Sequence, residues 1–308
     1  MARTTLLELA LAGVFVLTPA PAQTKNVAGE LGYPADAKLL IVHADDLAVS
    51  HSQDRASFAA LDRRAASAAS IMVPCPWFTE VAEYAKAHPD ADLGLHLTLT
   101  SEWKNYRWGP VASKNEVPGL LGPNGNLWPD VPLVTKNATP AEVEREIRAQ
   151  VERAMKAGIR PTHLDSHMGT LFTPAYFPVY VKVAREYGLP FLAMRTASAP
   201  AALLALLKDT DILPGAIVMA SSVEPRNWAE YYLGVIRSLK PGLTELIVHL
   251  AYDDAEMQAV TEDHPAYGSA WRQRDFDVIT SPAFRQALQD NAVTLIGWKE
   301  IKERGGRH

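Results

Sequence analysis

Near-continuous apolar runs alternate with amphipathic stretches along most of this chain. The runs that predict β-strands are KLLIVHA, ASIMV, DLGLHLTL, PTHLDSH, PFLAM, ELIVHL and VTLIGW. The amphipathic segments that predict helices are WFTEVAEYAKAH, TPAEVEREIRAQVERAMKAG, AYFPVYVKVAREYG, NWAEYYLGVIRSLKPG and SPAFRQALQDN. Buried strands separated by helices indicate an α/β fold with a parallel sheet covered by helices, either a barrel or a doubly wound sheet.

The segment TPAEVEREIRAQVERAMKAG has the clearest helix boundaries. Thr139 is a good N-cap, Pro140 suits the first turn, and Glu142 stands at the capping-box position. Gly158 is expected to end the helix.

The N-terminal residues 1–22 resemble a secretory signal peptide. They contain an early Arg, an apolar stretch and an Ala-Pro-Ala before Gln23. We predict cleavage after Ala22, a secreted or periplasmic protein, and no membrane span after processing, because the apolar stretch is short for a bilayer. The alternative is a frayed N-terminal helix. We expect residues 23–308 to form a single catalytic domain with a long loop at about 101–132.

Charge and cysteine usage limit the partners and the metal ligands. The formal net charge is −5 with both signs interspersed, so the chain lacks the basic stripe expected for nucleic acid or an anionic membrane surface. Cys75 is the single cysteine, which excludes an intrachain disulfide and a thiolate zinc cluster. Histidines and carboxylates therefore remain as metal ligands, and Cys75 is expected in the core.

Polar side chains stand at or near the ends of four predicted strands. They are Asp45, Asp46, His96, His163, Asp165, His167 and His249. The carboxyl ends of parallel strands lie at one edge of a sheet, so these groups are expected to converge. In an extended PTHLDSH segment the two histidines and the aspartate share one face, because side chains alternate.

The adjacent carboxylates Asp45 and Asp46 are costly to place side by side after a buried strand. A bound cation would offset their repulsion. One Asp and two His form an open triad suited to a hydrolytic divalent ion. Alternatives remain for each part, because a lone strand histidine such as His96 is often a hydrogen-bonded core residue and an Asp pair is often a turn or a helix cap.

The segments IVHADDLAVS, LGLHLTLT, PTHLDSH and LIVHLAYDD, in this order, resemble the YdjC-like (ChbG/HpnK) carbohydrate deacetylases over roughly residues 37–301. The resemblance implies a distorted β/α barrel of the polysaccharide-deacetylase type with mostly parallel strands. It also implies a divalent metal, Mg or Zn, and removal of an N-acetyl group from an amino sugar or oligosaccharide. The expected substrate is an N-acetylated sugar or glycolipid, and family members are often homodimers.

By position, the resemblance implies roles for individual residues. The metal ligands would be Asp46, His96 and His167, with Asp45 as general base and His249 as general acid. As adjacent residues in an extended chain, the two aspartates are expected to point in different directions and so to divide the two tasks. His163 and Asp165 are expected to support the ligands. Arg195 would orient Asp45, or would be an ordinary exposed arginine.

Three departures from the family pattern stand near these residues. His43 replaces the usual Asn, Leu47-Ala48 replaces Phe-Gly, and residues 168–170 replace further histidines. The inferred ligands are unaffected, but the substrate and the choice of metal are open.

Two long segments contain further candidates. The loop at 101–132 is rich in Pro and Gly, and loops of this length are usually functional or disordered. Its aromatic residues would either stack on sugar rings or pin the loop to the body, and they are Trp103, Tyr106, Trp108 and Trp128. The segment after His249 contains His264, Arg272 and Arg274, which are candidate rim contacts but are expected in a solvated loop.

Two other functions remain open from the sequence. One is a metal-dependent ester or phosphoester hydrolase on the same barrel, which the altered residues 168–170 keep in consideration. The other is an exported glycan-binding protein without catalysis, which the complete set of polar residues at the strand ends disfavours.

Overall fold

The computed structural model describes residues 26–196 and 199–304, so the predicted leader lies outside the described residues. Within this part of the chain, parallel strands form one sheet. The strands are Lys38–Leu47 (β1), Ala68–Ile71 (β2), Leu93–Leu97 (β3), Leu164–Ser166 (β4), Ala216–Met219 (β5), Gly242–His249 (β6) and Val293–Leu295 (β7). Their order is β4-β3-β2-β1-β6-β5, and β7 pairs with β1.

Helices follow or separate the strands. They are Val27–Glu30 (α1), His51–Asp62 (α2), Phe78–Ala87 (α3), Val131–Asn137 (α4), Pro140–Lys156 (α5), Phe177–Glu186 (α6), Ala201–Leu204 (α7), Trp228–Ser238 (α8), Ala255–Val260 (α9), Ser269–Ile279 (α10), Pro282–Asp290 (α11) and Trp298–Arg304 (α12). Short 3₁₀ helices lie at Pro118–Leu120, His167–Phe172 and Pro225–Asn227. None of the described helices is long and apolar enough to cross a bilayer.

The sheet is curled into a half-barrel, which confirms the predicted distorted barrel of parallel strands. Strand β1 is its centre, because it pairs with β6 from Lys38 to Asp45 and with β2 and β7 on its other side. All residues of β1 after Lys38 are buried. The two edges, β4 and β5, are not paired with each other among the described residues.

Two features of the sheet differ from the sequence prediction. The PFLAM segment is not a strand, because only Phe191 forms an isolated bridge, to Leu164. The edge strand β5 was not predicted. Its four residues, AIVM, form a short apolar run, and their side chains are partly exposed because the strand lies at the edge of the sheet.

The boundaries of helix α5 are as predicted. Thr139 accepts a hydrogen bond from the backbone N–H of Glu142, and the Glu142 carboxylate accepts one from the N–H of Thr139, which completes a capping box. The same carboxylate also accepts a 2.6 Å hydrogen bond from the N–H of Gly119, so it ties the loop to the helix. Gly158 ends the helix with a φ of 90°, a value that favours glycine.

Candidate metal centre

The backbone at the end of β1 brings both aspartates to the same place. Asp46 has a φ of 70° and Ala48 a φ of 79°, and the pairing with β2 shifts register between Ala44 and Leu47. As a result, His96 Nε2 lies 3.7 Å from Asp45 Oδ2 and 3.3 Å from Asp46 Oδ1. The expectation that adjacent aspartates point in different directions is therefore wrong, because the left-handed residue interrupts the alternation of the strand.

Asp46, His96 and His167 form a compact group of buried ligand atoms. Asp46 Oδ1 lies 3.3 Å from His96 Nε2 and 3.3 Å from His167 Nδ1, and one ligand atom from each residue falls within 4.8 Å of the others. Although buried, Asp46 Oδ1 accepts no hydrogen bond within the described part of the chain. Two imidazole nitrogens facing an unsatisfied carboxylate oxygen are the arrangement expected around a divalent cation.

Carboxylates hold the opposite nitrogen of each of these histidines. His96 Nδ1 lies 2.7 Å from Asp165 Oδ1, so Asp165 has the supporting position predicted for it. His167 Nε2 lies 3.1 Å from Glu102 Oε2. Such contacts fix the ring orientation and the tautomer, and leave the other nitrogen free for a metal. Glu102 was not predicted, although it follows β3 at the same edge of the sheet as the ligands.

Arg272 is a second residue of the centre that sequence reasoning missed. Its expected position in a solvated loop is wrong, because Arg272 belongs to helix α10 and is 1% exposed. Its Nη2 donates to Asp46 Oδ2 at 2.8 Å and its Nη1 to Gln53 Oε1 at 2.5 Å. Gln53 in turn donates to the carbonyl oxygen of Asp45. Although burial opposes ionisation, the Arg272 guanidinium helps to hold the pKa of Asp46 well below its usual range.

Because Arg272 occupies Asp46 Oδ2, it orients Oδ1 toward the two histidines. We predict that Arg272→Met lowers metal affinity and kcat/KM by about 10 to 100-fold, the usual loss when an outer partner of a ligand is removed. Arg272→Lys should not restore them, because an ammonium cannot bridge two acceptors in a plane. Metal competition titrations measure the affinity. Arg274→Met, on the same helix with its guanidinium over Trp228, is the matched control. Equal losses in Arg272→Met and the control would contradict the role.

His249 reaches the same centre from the end of β6. Its Nε2 lies 3.8 Å from Asp46 Oδ2, and its ring centroid lies 5.1 Å from that of Tyr267. In the pairing of β1 with β6, its register partner is Asp45. Its backbone N–H donates to Asp275. Burial, with a contribution from Arg272, lowers the pKa of His249 to about 4, so the ring is neutral at pH 7.

The family model described as YdjC-like protein matches residues 39–290 of this chain. The chain belongs to the YdjC-like family. Among curated members, the carbohydrate deacetylase of Thermus thermophilus is 30% identical over 273 residues, which cover 86% of this chain and 94% of the relative. The carbohydrate deacetylase of Geobacillus stearothermophilus is 28% identical, covering 85% of this chain and 97% of the relative.

A solved structure has the same fold as this YdjC-like chain. It is that of an Enterococcus faecalis V583 protein named for a proposed cleavage of cellobiose phosphate. The TM-score is 0.71 at 24% sequence identity, and the match covers 86% of this chain and 99% of the other. This similarity supports the half-barrel architecture.

Arg195 is not part of the centre, contrary to the role of orienting Asp45. Its Nη2 donates to the carbonyl oxygen of Lys208 at 2.8 Å and lies 4.0 Å from Asp209. The Asp45 backbone is instead held by Gln53, which Arg272 positions.

The aromatic residues of the long loop pin it to the body. Trp103 and Trp108 are 2% and 3% exposed, so neither offers a free face to a sugar ring. Trp108 Nε1 donates to the carbonyl oxygen of Thr100, and the Tyr106 hydroxyl donates to that of Val49. Trp128 is half-buried and donates to the carbonyl oxygen of Gly119. Of the two alternatives, the structure therefore favours the structural role.

Proposed function

We propose that this protein is a metal-dependent carbohydrate deacetylase that hydrolyses an N-acetyl group of an amino sugar or oligosaccharide. The observation that carries the proposal is that His96 and His167 both face Asp46 Oδ1, a buried oxygen without a hydrogen-bond partner among the described residues. Asp45 and His249 lie beside this group. The curated relatives named carbohydrate deacetylases support the substrate class.

The residues of the centre suit the separate tasks of amide hydrolysis. When bound, a divalent ion supplies Lewis acidity to the acetyl carbonyl and lowers the pKa of a water. Asp45 has no ligand position in this proposal, so its carboxylate, 3.7 Å from His96 Nε2, is free to take a proton from that water. His249, on the neighbouring strand, delivers a proton to the departing nitrogen.

The donor set favours one class of ion. Two imidazoles and one carboxylate are typical ligands of zinc and similar transition metals, whereas magnesium prefers oxygen ligands. We infer that zinc binds more tightly than magnesium at this centre.

A metal-dependent acetate assay tests the proposed function. Protein stripped with a chelator should release no acetate from N-acetylated glucosamine oligomers, and adding back zinc or another divalent ion should restore release. Aryl esters and phosphoesters, assayed in parallel, test the alternative hydrolase activities. Activity that survives complete metal removal would contradict the metal dependence. Glycan binding without any turnover would instead indicate a binding protein.

From the predicted leader we propose that this activity lies outside the cytoplasm, where the substrate would be a glycan fragment or a glycolipid. Comparing the mass of the mature N-terminus with cleavage after Ala22 tests the export of the protein.

A further inference from the structure

A buried polar cluster lies inside the half-barrel, directly beneath the proposed catalytic carboxylate. Its centre is His43 on β1, which is fully buried. His43 Nδ1 lies 2.8 Å from Asp45 Oδ1, 3.3 Å from Glu245 Oε1 and 3.6 Å from Asp165 Oδ2. The 2.8 Å contact is an ion pair and not a hydrogen bond, because its geometry is not aligned for one. A bare nitrogen lone pair would be repelled by the carboxylate oxygens of Asp45 and Asp165, so Nδ1 carries a proton.

The other nitrogen of His43 belongs to a chain of hydrogen bonds that runs to the opposite end of the barrel. His43 Nε2 lies 2.9 Å from His163 Nε2, and His163 Nδ1 lies 2.9 Å from Thr162 Oγ1. The Thr162 hydroxyl donates to Asp92 Oδ1 at 2.5 Å. Asp92 also accepts a 2.7 Å hydrogen bond from the backbone N–H of Lys299.

The direction of these hydrogen bonds determines where the protons lie. Since the single hydroxyl proton of Thr162 goes to Asp92, His163 Nδ1 must donate to Thr162. Burial holds the pKa of His163 well below its usual value, so this ring is neutral and its Nε2 accepts. His43 Nε2 is then a donor, and both nitrogens of His43 carry protons.

We propose that His43 is a buried imidazolium that positions Asp45, the general base, for the reaction proposed above. The proposal rests on that function, because it assumes that Asp45 takes the proton of the attacking water. His43 is a positioning residue, since it contacts the base and none of the proposed metal ligands Asp46, His96 and His167. Each aspartate near the centre thereby has a basic partner in the protein. The pairs are Asp46 with Arg272, Asp165 with His96, and Asp45 with His43.

The surrounding groups are consistent with a charged ring. Burial disfavours the charge, but Asp45, Glu245 and Asp165 together raise the pKa of His43 to about 9. Asp45 is the first of these causes, and Glu245 contributes less at pH 7, because burial raises the pKa of its own carboxyl to about 8. His163 is held by stacking on Trp298, with ring centroids 5.0 Å apart, which fixes the acceptor on the other side of His43.

Two neutral variants of His43 separate its two contacts. In His43→Asn the amide nitrogen replaces Nδ1 and can still donate to Asp45, whereas in His43→Gln it replaces Nε2 and reaches only His163. We expect His43→Asn to retain kcat within about tenfold and His43→Gln to lose about 100-fold, the scale of a misplaced catalytic group. KM and metal affinity should stay unchanged in both. Equal kcat in the two variants, or a loss confined to metal affinity, would overturn the inference.

A second measurement keeps the inference testable if the wild-type protein releases no acetate. Nitrogen-15 NMR of zinc-loaded protein with labelled histidines should show one ring, absent in His43→Asn, with both nitrogens protonated from pH 6 to pH 8. A neutral ring at pH 7 would overturn the proposal whatever the activity. Inactive wild-type protein with a charged His43 would contradict the proposed function and leave the pairing with Asp45 standing.

Discussion

Replacing Asp45 with Asn is expected to reduce kcat for acetate release by about 10² to 10⁴-fold, the usual contribution of a general base. An amide cannot take a proton from water. Metal binding should persist in this variant, because the proposed ligands Asp46, His96 and His167 are untouched. Steady-state acetate release and the metal content of the purified variant measure the two effects.

The control for Asp45→Asn is Asp36→Asn, an exposed aspartate just before the same strand, which should change neither quantity. Asp46→Asn provides the contrast, because it should lose the metal and the activity together. If Asp45→Asn kept full activity, or lost its metal as Asp46→Asn does, the division of tasks between the two residues would be contradicted.

This division of tasks shows what the sequence could and could not predict. Polar residues at the carboxyl ends of apolar runs correctly indicated that Asp46, His96 and His167 would meet, because a parallel sheet places those ends at one edge. The positions of Asp45 and Asp46 relative to each other were not predictable in the same way. They depend on the φ of 70° at Asp46, a local backbone conformation that cannot be predicted from the alternation of side chains along a strand.

The residues that could not be identified from the sequence are mainly those that tertiary packing brings into contact with the site. Arg272 lies 226 positions from Asp46 along the chain, and Glu102 lies 65 positions from His167. No periodicity or short motif relates residues so far apart, so each looked like an ordinary polar residue of a loop or a helix. The role of His43 was equally hidden, because it depends on Glu245 of strand β6 and on His163, which directly precedes β4.

Replacing His249 with Ala should separate proton delivery from the rest of catalysis. On an N-acetylated sugar we expect kcat to fall by about 10² to 10⁴-fold, because an amine leaves poorly without a proton. On 4-nitrophenyl acetate, provided that the wild-type protein hydrolyses this ester, the loss should be within about tenfold, because a nitrophenolate leaves unprotonated. Asp45→Asn should instead reduce both reactions, since each needs an activated water.

The neutral state of His249 makes this comparison more informative. With its pKa lowered to about 4, mainly by burial, the ring is neutral at pH 7 and lacks the acidic imidazolium proton before the reaction begins. We expect His249 to receive its proton during the reaction, after Asp45 has taken one from the attacking water, because the two residues are register partners across β1 and β6. Equal losses on the amide and the ester in His249→Ala would contradict proton delivery and would assign His249 a role in binding or in orienting Asp46.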